Sequence, residues 1–338
     1  MLEPILLVLL GLWVISCIFI IFETRVYRII VYFAIFSLIT SLCYLLLGSP
    51  DVAMAEAGVS AFVTVFFVIC VERYYSRRRE IETEKPRVYR KRHWLTKIIL
   101  PLLFSGGLFA LFAMFMPNVD MDFSLRYQYL TRFADEAGGQ NAVAAILLYY
   151  RVYDTLFEAL ILVIAVVAVT HMSWTSDLMV PEGRHSEIEN SNMAVFTMRI
   201  ICPLLLVFGA YLIMNGHISA GGGFQGGLAV ACFFVARYFI YGIYDLPIKK
   251  VIKIEELVFI NITVVAVLFV FFGATVYLPY EFQVVYQTIY LIMMNILIGL
   301  KVTCSFFLLF YRYVAIERME NTDRFLGRGY SEVRKGRV

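Results

Sequence analysis

Residues 199–241, RIICPLLLVFGAYLIMNGHISAGGGFQGGLAVACFFVARYFIY, set two long apolar runs on either side of a glycine-rich turn. Each run approaches the ~20 residues that a helix needs to cross the hydrocarbon core of a bilayer. The turn itself, NGHISAGGGFQGG (residues 215–227), has no strand before it and no lysine after it, so nucleotide-loop readings of the GxGxxG and GxxxxGK[ST] kind fail. A helical hairpin in a membrane remains. Composition extends that reading to the whole chain: of 338 residues, 61% are hydrophobic and 16% charged, which leaves too much apolar surface for a soluble domain. The fold class expected is therefore an all-α polytopic membrane protein.

Nine segments are long and apolar enough to span: residues 4–22, 26–47, 51–71, 97–117, 152–171, 193–215, 225–243, 256–277 and 286–311. The first opens with MLEP, without a basic region before it or an A-x-A site after it, and reads as a spanning helix rather than a secretory signal. Residues 73–97, RYYSRRREIETEKPRVYRKRHWLTK, carry ten lysines and arginines and belong on the cytoplasmic side. Counting outward from them puts Arg25, Arg28, the Lys249, Lys250 and Lys253 cluster and the basic tail on that same side. The N-terminus is then outside, the C-terminus inside, and the glycine turn at the outer surface. The six cysteines (Cys17, Cys43, Cys70, Cys202, Cys232 and Cys304) stand singly in apolar runs with no histidine at ligand spacing, so they read as small core side chains, with no metal site.

Ionisable residues inside spans cost about 3 kcal/mol each, which makes each a candidate for function. In GSPDVAMAEAGVSAF, Ser49 and Pro50 read as a helix start, and Asp51 suits the positive end of the helix dipole. Glu56 lies about 10 Å deeper than the cap. Small residues around it (Ala53, Ala55, Ala57, Gly58, Ser60) admit a close helix, so Glu56 is either a protonatable functional group or a structural partner for a neighbouring subunit. In NAVAAILLYYRVYDTLFEALIL, Asp154 and Glu158 share a helical face with Arg151 one turn earlier. Two carboxylates this close repel each other, as in a proton or sodium relay, and the other reading is a salt-bridged helix start. Residues 141–150 are too short to span and suggest a half-helix or a break near Arg151. In QTIYLIMMNILIGLKVTCSFF, Lys301 sits near mid-membrane with Asn295 a turn and a half before it. Lys301 either snorkels to the cytoplasm or faces protein, with a carboxylate on an adjacent subunit or water as its partner. In the turn, Gly221, Gly222, Gly223, Gly226 and Gly227 allow positive φ and close helix approach, or leave N–H groups for an anion. His217 and Phe224 complete the loop, with His217 bonding across the turn or to a neighbour.

Three stretches resemble known families. LLGSPDVAMAEAGVSAF resembles the three-helix unit of the C-terminal part of MrpA and of the D subunit of membrane-bound hydrogenases. NAVAAILLYYRVYDTLFEALIL resembles the E subunit of those hydrogenases, and GHISAGGGFQGG, with the downstream IGLKV, is similar to the MrpB signature. Ala220 departs from the usual proline, and Val152 and Phe157 from the usual glycines. The resemblance implies units at 1–75, 76–190 and 191–338, an acidic ion pathway through Glu56, Asp154 and Glu158, and kinship of the first two units with the complex I subunit that contains a π-bulge helix.

The long antiporter-like half of MrpA has no counterpart here, which favours a membrane-bound hydrogenase-like, ferredoxin-coupled complex over a stand-alone Mrp antiporter. The expected role is non-catalytic: transported Na+ and H+, no bound cofactor, no nucleic acid, and a place in a prokaryotic cytoplasmic membrane among large antiporter-like and small Mrp/hydrogenase-type subunits. A self-sufficient transporter would show internal inverted repeats, and a redox enzyme would need a bis-histidine pair or cysteine cluster. Neither pattern is evident, and the four histidines, His93, His171, His185 and His217, lie in loops or at a helix end.

Overall fold

A computed structural model describes residues 2–79, 94–115, 124–172, 192–241, 248–275 and 280–335. These residues form helices and turns, with no strand among them. The helices are α1 (Leu2–Phe22), α2 (Val26–Leu46), α3 (Pro50–Arg79), α4 (Trp94–Phe115), α5 (Ser124–Ala137), α6 (Ala142–Ala145), α7 (Val152–Met172), α8 (Asn192–Asn215), α9 (Gly223–Tyr241), α10 (Ile248–Thr275) and α11 (Tyr280–Lys335). Most of the basic linker (80–93), the segment holding His185 (173–191) and the last three tail residues lie outside the described residues.

Among the described residues seven helices are long and apolar enough to cross a membrane, and α4 and α9 stand at the fourth and seventh expected spans. The chain divides into one unit of Met1–Val71 with Arg132–Val338 and another of Glu72–Thr131. In the smaller unit α4 leaves Leu102, Phe104, Phe109 and Met114 exposed, as a helix bathed in lipid would.

Within the larger unit α11 is the central helix. In the most apolar 18-residue stretch of its span Gln283–Arg312, 67% of the residues are buried, against 6–22% in the corresponding stretches of the other six. Its buried face holds Leu291, Met294, Val302 and Phe310, packed with Leu228 and Val235 of α9 and with Ile262 and Ala266 of α10. Aromatic pairs extend the contact, with Phe269 stacked on Tyr290 at 3.6 Å and Phe62 of α3 edge-on to Phe306 at 5.0 Å. At the other end of the chain, α1 and α2 form a hairpin pinned by the Trp13 Nε1 donation to Thr40 Oγ1 (2.9 Å). The turn between them is ordered by Glu23, whose Oε1 accepts from the backbone N–H groups of Arg25 and Thr24. Those two donors hold its carboxyl below the usual carboxylate range.

The segment expected to form a half-helix or to break near Arg151 does break there, and the chain runs on directly into α7. Asn141 caps α6 by accepting from Val143 N and Ala144 N. Residues Ile146–Tyr150 then form a π turn, closed by Arg151 N donating to Ile146 O at 2.8 Å, and Arg151 leaves helical geometry at φ −123°, ψ 40°. Thr155 Oγ1 donates to the Leu147 carbonyl (2.7 Å) and Tyr290 Oη to the Leu148 carbonyl (3.0 Å). With these carbonyls supplied by hydroxyls, the break needs no water and no separation of the two pieces.

Candidate functional site

Three distant parts of the chain meet at the glycine turn. Asp51, in the first turn of α3, is 6% exposed. Its Oδ1 accepts from Gly221 N at 2.9 Å and from Asn141 Nδ2 at 3.1 Å, and Gln225 Nε2 donates to its backbone carbonyl. The helix-dipole account of Asp51 is therefore incomplete, because the carboxylate also ties α3 to α6 and to the loop before α9. Asn141 Nδ2 also reaches the carbonyls of Gly216 (3.1 Å) and Ser219 (2.9 Å), so its two hydrogens are shared among three acceptors. The His217 carbonyl accepts from Gln140 N and Asn141 N, while its ring Nδ1 lies 3.1 Å from the Met214 carbonyl within the turn.

The loop conformation is one that only glycine adopts without strain, with φ +138° at Gly221 and +143° at Gly222. Beyond it a Cβ on Gly223 would lie 2.5 Å from the Asn295 carbonyl oxygen, and one on Gly227 2.5 Å from the Gly299 carbonyl oxygen. These contacts bring α9 and α11 together backbone to backbone. Gly226 does the same against Gly209 of α8, and Phe224 packs beside the core with its ring edge-on to Phe306. Gly223 N donates to Asn295 Oδ1 at 3.0 Å, so this N–H and that of Gly221 serve side chains of the same chain.

The four in-span ionisable residues fall at separate places. Glu56 is half-buried and accepts from Ser37 Oγ of α2. Arg151 and Asp154 form a 2.5 Å ion pair, with 58% and 46% of their side chains exposed. Glu158, one turn further on, is exposed and has no partner among the described residues. Among those residues, no hydrogen bond or ion pair joins Glu56 to Asp154 or Glu158. Lys301 is only 1% exposed and is paired with Glu255 of α10; Ser305 Oγ also donates to Glu255 Oε1 (3.2 Å), and the Phe259 ring centroid lies 5.4 Å from the ammonium. Lys301 thus faces protein, but its carboxylate comes from its own chain, where a neighbouring subunit or water was expected. The apolar run starting at 256 left Glu255 just outside the expected span. The signal available was the pair Glu255–Glu256 at the head of that run, of which one turns inward and the other outward.

Among the described residues no three His, Cys, Asp or Glu side chains gather as metal ligands. The cysteines Cys17, Cys43, Cys202, Cys232 and Cys304 are free and at least partly buried. Glu56 and Glu158 differ from Asp51 at the glycine turn: their carboxylates keep spare acceptor positions in apolar helices, which suits taking up a proton or a hard cation.

Residues 193–308 match the family profile "Domain related to MnhB subunit of Na+/H+ antiporter", and residues 11–76 match the profile of the MBH D subunit. One polypeptide thus carries both matches, in separate stretches. Its relatives include the A/B subunit of a probable K(+)/H(+) antiporter of Rhizobium meliloti, 25% identical over 224 residues, covering 60% of this chain and 22% of that protein. An uncharacterized protein of Methanocaldococcus jannaschii is 29% identical over 119 residues, 30% of this chain and 44% of that one. The chain therefore spans less than half the length of either relative. In fold it is similar to a chain of the Mrp complex from Dietzia sp. DQ12-45-1b, with a TM-score of 0.61, 19% identity, and coverage of 88% of this chain and 34% of that one. It is also similar to a chain of the membrane-bound sulfane sulfur reductase, an archaeal respiratory membrane complex. That match has a TM-score of 0.50 and 25% identity, over 62% of this chain and 94% of that chain.

Proposed function

We propose that this chain is a non-catalytic membrane subunit of a hetero-oligomeric ion-translocating complex of the membrane-bound hydrogenase type, ferredoxin-coupled, in a prokaryotic cytoplasmic membrane. In this reading the N-terminus faces outside and the C-terminus the cytoplasm. Glu56, Asp154, Glu158 and Lys301 are points on a path for Na+ and H+, with Asp51, Arg151 and Asn295 in support.

The observation that carries this is Glu158, an exposed carboxylate without a partner among the described residues, on a helix long enough to span. Hydrocarbon around it would cost about 3 kcal/mol, so another membrane subunit completes that face, and a carboxylate at a subunit boundary is open to a moving proton or sodium ion. The match to nearly the full length of a respiratory-complex chain favours the hydrogenase-type assembly. A second reading, a stand-alone Mrp-type antiporter, draws on the Rhizobium relative and the Mrp likeness. Purifying the native complex and identifying its subunits separates the two, since redox subunits belong to the first alone.

The path itself is tested by reconstituting that complex in vesicles and following cation-driven proton movement. Glu158→Gln should abolish exchange while the subunits still co-purify. Normal exchange in the assembled variant would remove Glu158 from the path.

A further inference from the structure

Polar side chains recur along one stripe of α11, the helix that the rest of the unit packs around. Gln287, Asn295, Lys301 and Ser305 are all buried, and Arg312 has a buried Nε. At 100° per residue, Gln287, Lys301, Ser305 and Arg312 fall within about 40° of one another, and Asn295 lies about 80° further round. The stripe runs about 38 Å, which is more than the hydrocarbon thickness of a bilayer. Two atoms on the stripe, Gln287 Oε1 and Arg312 Nε, and one beside it, Asn295 Nδ2, are buried with no hydrogen-bond partner among the described residues. Buried polar atoms left in this state by the protein are the ones that ordered water satisfies. Between them stands the Lys301–Glu255 pair. Two apolar side chains of similar volume would hold α10 to α11 as well, because the desolvation of a buried ion pair offsets most of its attraction.

We propose that this stripe is the hydrated, proton-carrying limb of that path through the MnhB-related domain, and that Glu255 and Lys301 are its exchanging pair. The inference rests on the proposed role in ion translocation. In the transfer step an Nζ–H bond of the Lys301 ammonium breaks and an O–H bond forms on Glu255, leaving a neutral amine and a neutral acid. The acid then passes the proton to water on one side, and the amine takes one from water on the other, so one proton advances and no electron moves. Ser305 Oγ, bonded to the same Glu255 oxygen, holds the carboxyl in place when Lys301 has lost its proton. Lys301 and Arg312 set two cations against the single carboxylate along the stripe, which disfavours entry of Na+ and restricts the path to protons.

The test uses the whole complex in vesicles, with ion exchange and co-purification measured on each variant. Glu255→Gln combined with Lys301→Met removes both charges together, so it strands neither, and should assemble with exchange lost. Ser305→Ala keeps the pair and removes one hydroxyl; it should assemble and turn over about three- to tenfold more slowly, the rate equivalent of one hydrogen bond. Exchange near the wild-type rate in the double variant makes the pair a structural pin and overturns the proposal. So does an unchanged rate in assembled Ser305→Ala, even if the double variant fails to assemble. A wild-type complex that moves no ions sinks the transport reading, and this inference falls with it. An active wild type with active variants sinks this inference alone.

Discussion

In an Asp51→Ala variant the Gly221 N–H would point at a methyl group in a buried position, and a stranded donor of this kind costs about 1–3 kcal/mol. Asn141 is less affected, because the Gly216 and Ser219 carbonyls still engage its two hydrogens. Asp51→Asn keeps an oxygen where Oδ1 stands. Heating the purified complex should therefore dissociate Asp51→Ala at a clearly lower temperature than wild type, with Asp51→Asn in between. Equal midpoints for all three would mean that the Asp51 contacts contribute nothing to holding α3 to the glycine turn. At this scale the sequence shows which residues are anomalous and hides their partners. Asp51 is an acid at a helix start, but its contacts lie 90 and 170 positions away. Lys301 is anomalous in any hydropathy reading, yet its counter-charge is set by which of two adjacent glutamates the rotation of α10 turns inward.

Two elements show why some local features are readable and others are not. The glycine hairpin is legible because close backbone approach and positive φ each demand the same residue, and the sequence supplies it repeatedly between two apolar runs. The π turn is only half legible. Arg151 between two apolar pieces marks a break, but continuity depends on Thr155 and on Tyr290, 142 positions from the carbonyl that it caps. For the hairpin the geometry sharpens an expectation. A side chain on Gly223 would collide with the Asn295 carbonyl at 2.5 Å and the Ile298 Cβ at 2.9 Å, contacts made by the backbone of a packed helix that cannot swing aside. On Gly222 it meets more space but a φ of +143° that valine does not tolerate. Gly222→Val with Gly223→Val should cost several kcal/mol and abolish most assembly, while the complex that does form keeps its ion selectivity. Intact yield with altered selectivity would show instead that the turn holds an ion.

For the whole molecule, the buried and exposed surfaces divide the chain into a self-sufficient part and a dependent one. The MnhB-related helices pack around α11, whereas α1 buries Ser16 alone among its described residues and the exposed face of α7 includes Glu158. Apolar exposure needs only lipid, and α1 would be content without partners. A carboxylate needs more, so on the proposed assembly α7 is the helix whose insertion depends on a neighbouring subunit. Expression of the chain without the other membrane subunits isolates that dependence. Glu158→Leu removes the penalty of about 3 kcal/mol for an acid in hydrocarbon, and should then accumulate in the membrane to a higher level than wild type. Expressed with the complete complex, the two should accumulate alike, because the neighbour already shields the carboxylate, and only the variant should lack ion exchange. Equal accumulation of both chains when expressed alone would mean that lipid or water accommodates Glu158 unaided. The case for a subunit boundary at α7 would then fail, whatever the complex proves to transport.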